Sequence, residues 1–101
     1  MSSRDDVKLD KGKPRFDLIE PEFTLGIASV LTFGAEKYAP NSWQKIPDPV
    51  NRYYAATLRH LNAWRRGEVV DAESGFSPLL HAATNIMFLL HYEYAEEETD
   101  E

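Results

Sequence analysis

The sequence predicts an all-α domain of three helices that carries an extended amino-terminal arm and assembles as an oligomer. Apolar residues recur at helical spacing in three segments, and the alternating pattern typical of strands is weak throughout. Each segment opens with proline after a polar residue, and proline suits the first helical turn because its missing N–H would have no partner there. These three pairs are Glu20-Pro21, Asp48-Pro49 and Ser77-Pro78.

The first helix is predicted over residues 21–38. Its apolar residues between Leu25 and Ala35 cover nearly every face, so we expect this helix to be buried, in part against a second subunit. Gly26 and Gly34 weaken the helix locally, and each leaves room for a close neighbouring backbone. Pro40 follows the predicted end and prevents the helix from continuing.

The second helix is predicted over residues 50–66, with Tyr54, Leu58 and Leu61 as the stripe that faces the core. Gly67 suits the position that caps its carboxyl end. The third helix is predicted over residues 78–94 and is apolar on most sides. Two such apolar helices expose more hydrophobic surface than a small monomer covers, so we expect at least a dimer.

Both ends of the chain are polar. Residues 1–20 are predicted to form the arm, with Phe16, Leu18 and Ile19 anchoring it to the helical core. Residues 95–101 are predicted to form an acidic tail that is solvated and frayed. The net charge of −6 comes from the carboxyl end, because the chain before Glu93 carries eleven acidic and eleven basic residues.

Composition narrows the class of protein. A chain of 101 residues forms a single domain, here residues 1–101, and its 43% hydrophobic and 28% charged residues are typical of a globular protein. Since cysteine is absent, thiolate metal sites, thiol nucleophiles and disulfides are excluded. No apolar run reaches the ~18 residues of a membrane span and no secretion signal is visible, so we expect a cytoplasmic protein without a membrane partner. A broad basic face is missing, which argues against binding of bulk nucleic acid.

The clearest candidate for a polar pocket is a pair of residues in the third helix. His81 and Asn85 lie four positions apart and therefore share one helix face inside an otherwise apolar segment. His60 of the second helix is a candidate to face them. The alternative is a hydrogen-bonded core histidine that fixes the helix register.

The loop between the second and third helices carries two carboxylates, Asp71 and Glu73. Two carboxylates in a loop suit a hard cation such as Mg²⁺, completed by water and by substrate phosphate. The alternative is a turn in which Asp71 or Ser74 caps the following helix.

The arm carries Lys13 and Arg15 at alternate positions, a spacing that suits a phosphate clamp on one side of an extended segment. The alternative is a solvated tail of mixed charge.

Near the end of the first helix, Tyr38 and Trp43 are candidates for stacking on a nucleobase beside Lys37. The alternative for Trp43 is that it covers the core beneath a long loop.

Six ordered motifs resemble the dATP/dGTP diphosphohydrolase N-terminal family of bacteriophage and prophage proteins, over roughly residues 8–92. They are Lys-Leu-Asp-x-Gly-Lys-Pro-Arg-Phe-Asp-Leu-Ile from Lys8, Phe-Gly-Ala-x-Lys-Tyr from Phe33, Asn-x-Trp from Asn41, Arg-His-Leu-x-Ala-Trp-x-x-Gly-Glu from Arg59, Asp-x-Glu-Ser-Gly from Asp71 and His-Ala-Ala-x-Asn from His81.

The resemblance implies hydrolysis of a purine deoxynucleoside triphosphate to a monophosphate and pyrophosphate. It also implies distant kinship with the MazG-type all-α pyrophosphohydrolases, which use Mg²⁺ and work as oligomers. Those enzymes hold their metals with Glu-x-x-Glu on one helix and Glu-x-x-Asp on the next. Here the first helix offers only Glu36 near its end, and the second carries His60 and arginines.

The sequence and the resemblance are compatible with two functions. In the first, the protein is a Mg²⁺-dependent hydrolase in the host cytoplasm. Its predicted metal ligands are Asp71 and Glu73, and its predicted catalytic residues are these two and His81. The predicted substrate-binding residues are Lys13, Arg15, Lys37, Tyr38, Trp43, Arg59, His60 and Asn85. In the second, the chain cleaves nothing and, without a metal, sequesters a nucleotide-derived immune signal of the cyclic-nucleotide or ADP-ribose type, which would block host defence against phage. The scarcity of carboxylates favours the second function, and a purely structural oligomer is the third possibility.

Overall fold

The computed structural model describes residues 11–99, and side chains as far as residue 96. Three α-helices follow one another: α1 spans Pro21–Lys37, α2 spans Pro49–Arg65 and α3 spans Pro78–Thr99. A short 3₁₀ turn at Phe16–Leu18 precedes α1, and a second at Ser42–Lys45 lies between α1 and α2. Residues 11–99 contain no strand. The predicted all-helical class and the three helix starts are confirmed.

The helix ends follow the local sequence signals. Ser77 caps α3, since its hydroxyl accepts the N–H of Leu79 at 3.2 Å. Asp48 precedes α2, but its carboxylate accepts from the side-chain amide of Asn51 at 3.2 Å and caps no backbone N–H. Gly67 follows α2 at φ +103°, a conformation that glycine adopts without strain, so the predicted cap is confirmed.

The third helix is longer than predicted. It continues to Thr99, so residues 95–99 are helical rather than a frayed tail. Alanine and glutamate are good helix formers, and the segment after Tyr94 consists mostly of them. Asp100 and Glu101 lie outside the described residues, as do residues 1–10 of the predicted arm.

The packing of the helices is uneven. α2 and α3 form the extensive contact of the fold, while α1 lies against α3 along a shorter one. Gly26 makes the α1 contact possible, because a Cβ at that position would lie 2.5 Å from Cδ2 of Leu80. Only Gly26 and Val30 of α1 are buried, so the expected burial of its whole apolar surface does not occur within one chain.

An aromatic cluster holds the loop after α1 onto the α2–α3 pair. The Trp43 ring stacks on Phe88 with centroids 4.4 Å apart, and the Tyr53 ring lies 4.9 Å from Phe88. The Tyr53 hydroxyl donates to the Trp43 carbonyl at 2.6 Å. Trp43 therefore covers the core, as its alternative interpretation proposed.

The predicted core stripe of α2 is wrong. Tyr53 and Thr57 are buried, whereas Tyr54 is 56% exposed and Leu58 is 46% exposed. The Thr57 hydroxyl donates to the Tyr53 carbonyl at 2.7 Å, and a buried polar group with a partner costs little. The helix is thus rotated by about one residue, ~100°, from the orientation that apolarity alone favoured.

The described part of the arm, residues 11–20, is exposed throughout. Phe16 is 76% and Leu18 is 72% exposed, and both lie in the 3₁₀ turn, so the structure does not show them anchoring the arm to the core of their own chain. Within the described residues, none of the three helices combines the length and apolarity needed to cross a bilayer.

Candidate functional site

The site is centred on two histidines that α2 and α3 bring together. The rings of His60 and His81 stack with centroids 4.7 Å apart and planes 16° from parallel. Both side chains are partly buried. The prediction that His60 faces His81 is therefore confirmed.

The loop between α2 and α3 is closed by hydrogen bonds to Asp71. Its Oδ2 accepts the backbone N–H of Glu73 at 3.1 Å and of Ser74 at 2.9 Å. Its own N–H donates to the Phe76 carbonyl at 2.7 Å, and its carbonyl accepts from Gly75 at 2.8 Å. Gly75 has φ +78°, which a residue with a Cβ adopts only with strain. Asp71 thus shapes a turn, as its alternative interpretation proposed, but the cap of α3 is Ser77 rather than Asp71 or Ser74.

This loop fixes the orientation of His81. The Ser74 Oγ and the His81 Nε2 are hydrogen-bonded at 2.6 Å, and the same Oγ accepts the N–H of Phe76 at 3.2 Å. The sequence indicated Ser74 only as a candidate helix cap and not as a partner of His81. Its signal was its position, three residues after a turn-forming aspartate and seven before His81.

Ser74, His81 and Asp71 do not form a catalytic triad. Asp71 Oδ2 lies 4.0 Å from His81 Nε2, the same ring nitrogen that Ser74 contacts. In a triad the acid and the nucleophile bond to opposite ring nitrogens. Ser74 is therefore a positioning residue for the imidazole rather than an activated nucleophile.

Burial and charge set the protonation of this cluster. Partial burial, and next the neighbouring His81, lower the pKa of His60, which keeps its imidazole neutral near pH 7. Burial by itself would raise the pKa of Asp71, but hydrogen bonds from the Ser74 backbone and side chain, with both imidazoles nearby, outweigh it and lower that pKa. The cluster therefore pairs an ionised carboxylate with a neutral imidazole.

A cavity of about 620 Å³ adjoins the histidines. Its walls are the carboxyl half of α1, the loop through Trp43 and one face of α3, and they are mostly apolar. His81 and Asn85 are part of the α3 wall, so the two residues predicted to form a polar pocket do line a cavity. The Asn85 amide donates to the His81 carbonyl at 2.8 Å, which fixes the side chain. At Gly34 a Cβ would meet nothing within 4 Å, so the backbone is open to a ligand there.

The predicted cationic and aromatic residues are divided between this cavity and the solvent. Lys37 and Tyr38 line the cavity; Lys37 forms an ion pair with Glu73, and its Nζ lies 5.1 Å from the Tyr38 ring centroid. Lys13 and Arg15 do not line it. Arg15 instead pairs with Asp17 at 2.6 Å, and both side chains are 64% exposed.

The two predicted metal ligands have other partners. Asp71 accepts backbone N–H groups and Glu73 is paired with Lys37, and neither lines the cavity. Across the described part of the chain, no group of three or more histidine or carboxylate side chains is placed to hold a metal ion. The residues present do not form a metal cage, so we derive no chemical step through Mg²⁺.

The sequence profile of the family dATP/dGTP diphosphohydrolase, N-terminal, matches residues 3–101. The chain belongs to this family. A relative in the family, a dATP/dGTP diphosphohydrolase of Salmonella phage PMBT28, is 35% identical over 83 residues. That match covers 82% of this chain but only 28% of the relative, so the chain spans little more than a quarter of the relative's length. No solved structure matches.

Five of the six motifs contribute to the site in three dimensions, the motif from Arg59 through the His60 ring. The motif from Phe33 to Tyr38 and the motif from Asn41 to Trp43 line the cavity from one side. The motif from His81 to Asn85 lines it from the other, and the motif from Asp71 orients the His81 ring. Segments that are distant along this dATP/dGTP diphosphohydrolase-family chain thus meet at one place.

Proposed function

We propose that the cavity binds the base and sugar of a purine deoxynucleoside triphosphate, and that the nucleotide is hydrolysed there to a monophosphate and pyrophosphate. The observation that carries the proposal is the cavity itself, because its lining contains no carboxylate, is mostly apolar and includes Lys37, His81 and Asn85. A volume of about 620 Å³ lies within the range of small-molecule sites. The family and the name of the phage relative support the same substrate class.

The base would be held by stacking and by one amide. Trp43 already has Phe88 on one face, whereas Tyr38 is 70% exposed and has a face available. Stacking on an aromatic side chain contributes roughly 1–3 kcal/mol per base. The amide of Asn85, fixed by its bond to the His81 carbonyl, suits the hydrogen-bonding edge of a purine.

Hydrolysis requires a water oxygen to attack the α-phosphorus and the bond to the bridging oxygen of the β-phosphate to break, so that pyrophosphate leaves. We assign acceptance of the proton from that water to the imidazole pair. Ser74 holds Nε2 of His81, and Nδ1 has no hydrogen-bond partner among the described residues, so this nitrogen can take the proton. His60, kept neutral by burial, is the second candidate.

Three expectations from the sequence stay predictions. Mg²⁺ at Asp71 and Glu73 would need the phosphates of the nucleotide to complete its ligands. The clamp of Lys13 and Arg15 would need the arm to leave its position in this structure or to reach a second copy. A homo-oligomer is supported by exposed apolar residues on all three helices, among them Leu25, Leu58 and Leu90, and light scattering during gel filtration tests it.

The function is tested by incubating the protein with dATP or dGTP, with and without Mg²⁺, and separating the products by ion-exchange chromatography. The expected result is monophosphate and pyrophosphate in equal amounts, lost in His81→Gln and kept in the matched control His91→Gln. His91 is exposed and does not line the cavity. Recovery of intact nucleotide after denaturing the protein would indicate sequestration instead of hydrolysis, an alternative that neither the family nor the phage relative supports. Neither binding nor cleavage would refute the proposal.

A further inference from the structure

A second hollow lies on the other side of Asn85. It has a volume of about 460 Å³, and its lining includes Arg52 and Arg59 of α2 together with Asn51 and Asn85. The two arginines are seven positions apart on α2 and therefore on the same side of the helix. Arg59 is among the predicted substrate-binding residues, whereas Arg52 is not.

The two guanidinium groups carry positive charge that no described residue neutralises. Among residues 11–96, neither Arg52 nor Arg59 has an ion-pair or hydrogen-bond partner, whereas Arg15 and Lys37 are both paired with carboxylates. No carboxylate lines the hollow. Asp48, which accepts from the Asn51 amide, is itself outside the lining. Two unpaired guanidinium groups in a concave surface attract an anion that accepts several hydrogen bonds.

The hollow and the main cavity are neighbours with a common wall. Ile46, Tyr53 and Asn85 line both of them. One ligand can therefore place an apolar, aromatic part in the main cavity and an anionic part against the arginines. A nucleotide has this division between its base and its phosphates.

We propose that Arg52 and Arg59 bind the phosphate chain of the nucleotide whose base occupies the main cavity. This inference rests on the proposed function. It gives Arg59, already a predicted substrate-binding residue, a partner in Arg52, and it assigns to this pair the phosphate contacts that the sequence predicted for Lys13 and Arg15 of the arm. Arginine suits the role because its planar fork of donors matches phosphate oxygens two at a time. Seven residues of helix rise about 10 Å, a separation that two long side chains close when they converge on one phosphate chain.

The experiment compares three probes by isothermal titration calorimetry: dATP, deoxyadenosine and inorganic tripolyphosphate. Arg52→Gln removes one guanidinium, and Arg65→Gln is the matched control, because Arg65 is exposed on the same helix and lines neither hollow. For Arg52→Gln we expect affinity for dATP and tripolyphosphate to fall about tenfold or more, with deoxyadenosine unchanged. For Arg65→Gln we expect all three affinities to stay within about twofold of wild type. Circular dichroism confirms that both variants are folded.

The outcomes separate this inference from the proposed function. If Arg52→Gln binds dATP as wild type does, or if Arg65→Gln loses as much affinity, the assignment of the phosphates to this hollow is overturned while the base site stands. If deoxyadenosine fails to bind wild type, the base site is refuted. A loss of tripolyphosphate binding confined to Arg52→Gln would then still support the anion site.

Discussion

The loop between α2 and α3 and the amino-terminal arm are both rich in charged residues, but the loop reaches the site whereas the described part of the arm, residues 11–20, does not. In the loop, the Asp71 carboxylate accepts two backbone N–H groups, and the neighbouring Ser74 holds His81. In the arm, Arg15 finds its partner two residues away in Asp17 and remains exposed. A charged side chain is placed by the backbone bonds that close its loop, whereas alternating charges on an open segment satisfy one another locally.

The largest expected effect breaks the loop. Asp71→Ala removes the acceptor of two backbone N–H groups, and we expect the free energy of unfolding to fall by about 1–3 kcal/mol. Asp17→Ala is the matched control in the arm, and we expect no measurable change in its free energy of unfolding because an exposed ion pair contributes little. Urea denaturation followed by circular dichroism measures both. Equal losses in the two variants would contradict the contrast between loop and arm.

A smaller effect distinguishes a filled position from an open one within α1. Gly26→Ala forces its Cβ into Leu80, and we expect a net loss of about 1 kcal/mol once the gain in helix propensity is subtracted. Gly34→Ala meets nothing within 4 Å, so it should stabilise the free protein by roughly 0.5–1 kcal/mol. Because Gly34 lines the cavity, the added methyl group should weaken dATP binding in a protein that is more stable.

Thermal unfolding and calorimetry with dATP test this pair of variants. If Gly34→Ala is stabilised and binds dATP as wild type does, the ligand does not approach the α1 backbone at that position. If Gly26→Ala is as stable as wild type, Leu80 has moved aside without cost, and the contact between α1 and α3 is looser than the structure shows.

The histidine pair predicts a dependence of stability on pH. Burial lowers the pKa of His60 below its ordinary 6.5, so the folded state binds fewer protons than the unfolded state. The free energy of unfolding should therefore be constant above about pH 6.5 and fall as the pH drops from there to the folded pKa. His60→Gln should flatten this part of the profile. A wild-type profile that rises on acidification over that interval has the opposite sign and would be incompatible with a neutral, stacked His60.

A second decline belongs to Asp71. Its pKa is lowered from 3.8, so its contribution to stability is present above that pH and is lost as the pH falls through the folded pKa. In Asp71→Asn this second decline should be absent, while the decline assigned to His60 should persist. Urea denaturation between pH 8 and pH 3 follows both variants.

The smallest expected effect concerns the arm. Arg15→Gln and Lys13→Gln should each change dATP affinity by less than about twofold, because neither residue lines the cavity. A tenfold loss of dATP affinity in either variant, measured by the same calorimetry, would support the predicted clamp. It would mean that the arm binds the nucleotide after moving from its position in this structure or by reaching a second copy.

The sequence was sufficient for the helices and for part of the site. Proline after a polar residue marked each helix start, and the spacing of His81 and Asn85 identified one wall of the pocket. The face of α2 that packs could not be predicted, because the buried Tyr53 is the same residue type as the exposed Tyr54, and the buried Thr57 is more polar than the exposed Leu58. Tyr53 and Thr57 are hydrogen-bonded to main-chain carbonyls, and the periodicity of the sequence does not reveal these partners. Pairings across long separations, such as Lys37 with Glu73, leave no local pattern at all.

The central claim is that the nucleotide occupies the cavity beside the histidine pair, and an amide chemical-shift titration with dATP tests it most directly. The backbone N–H of Gly34, the indole N–H of Trp43 and the side-chain amide of Asn85 are the reporters, since all three residues line that cavity. We predict that their signals move together and saturate at one concentration of dATP. Shifts confined to residues 11–20, with these three signals unmoved, would contradict the account.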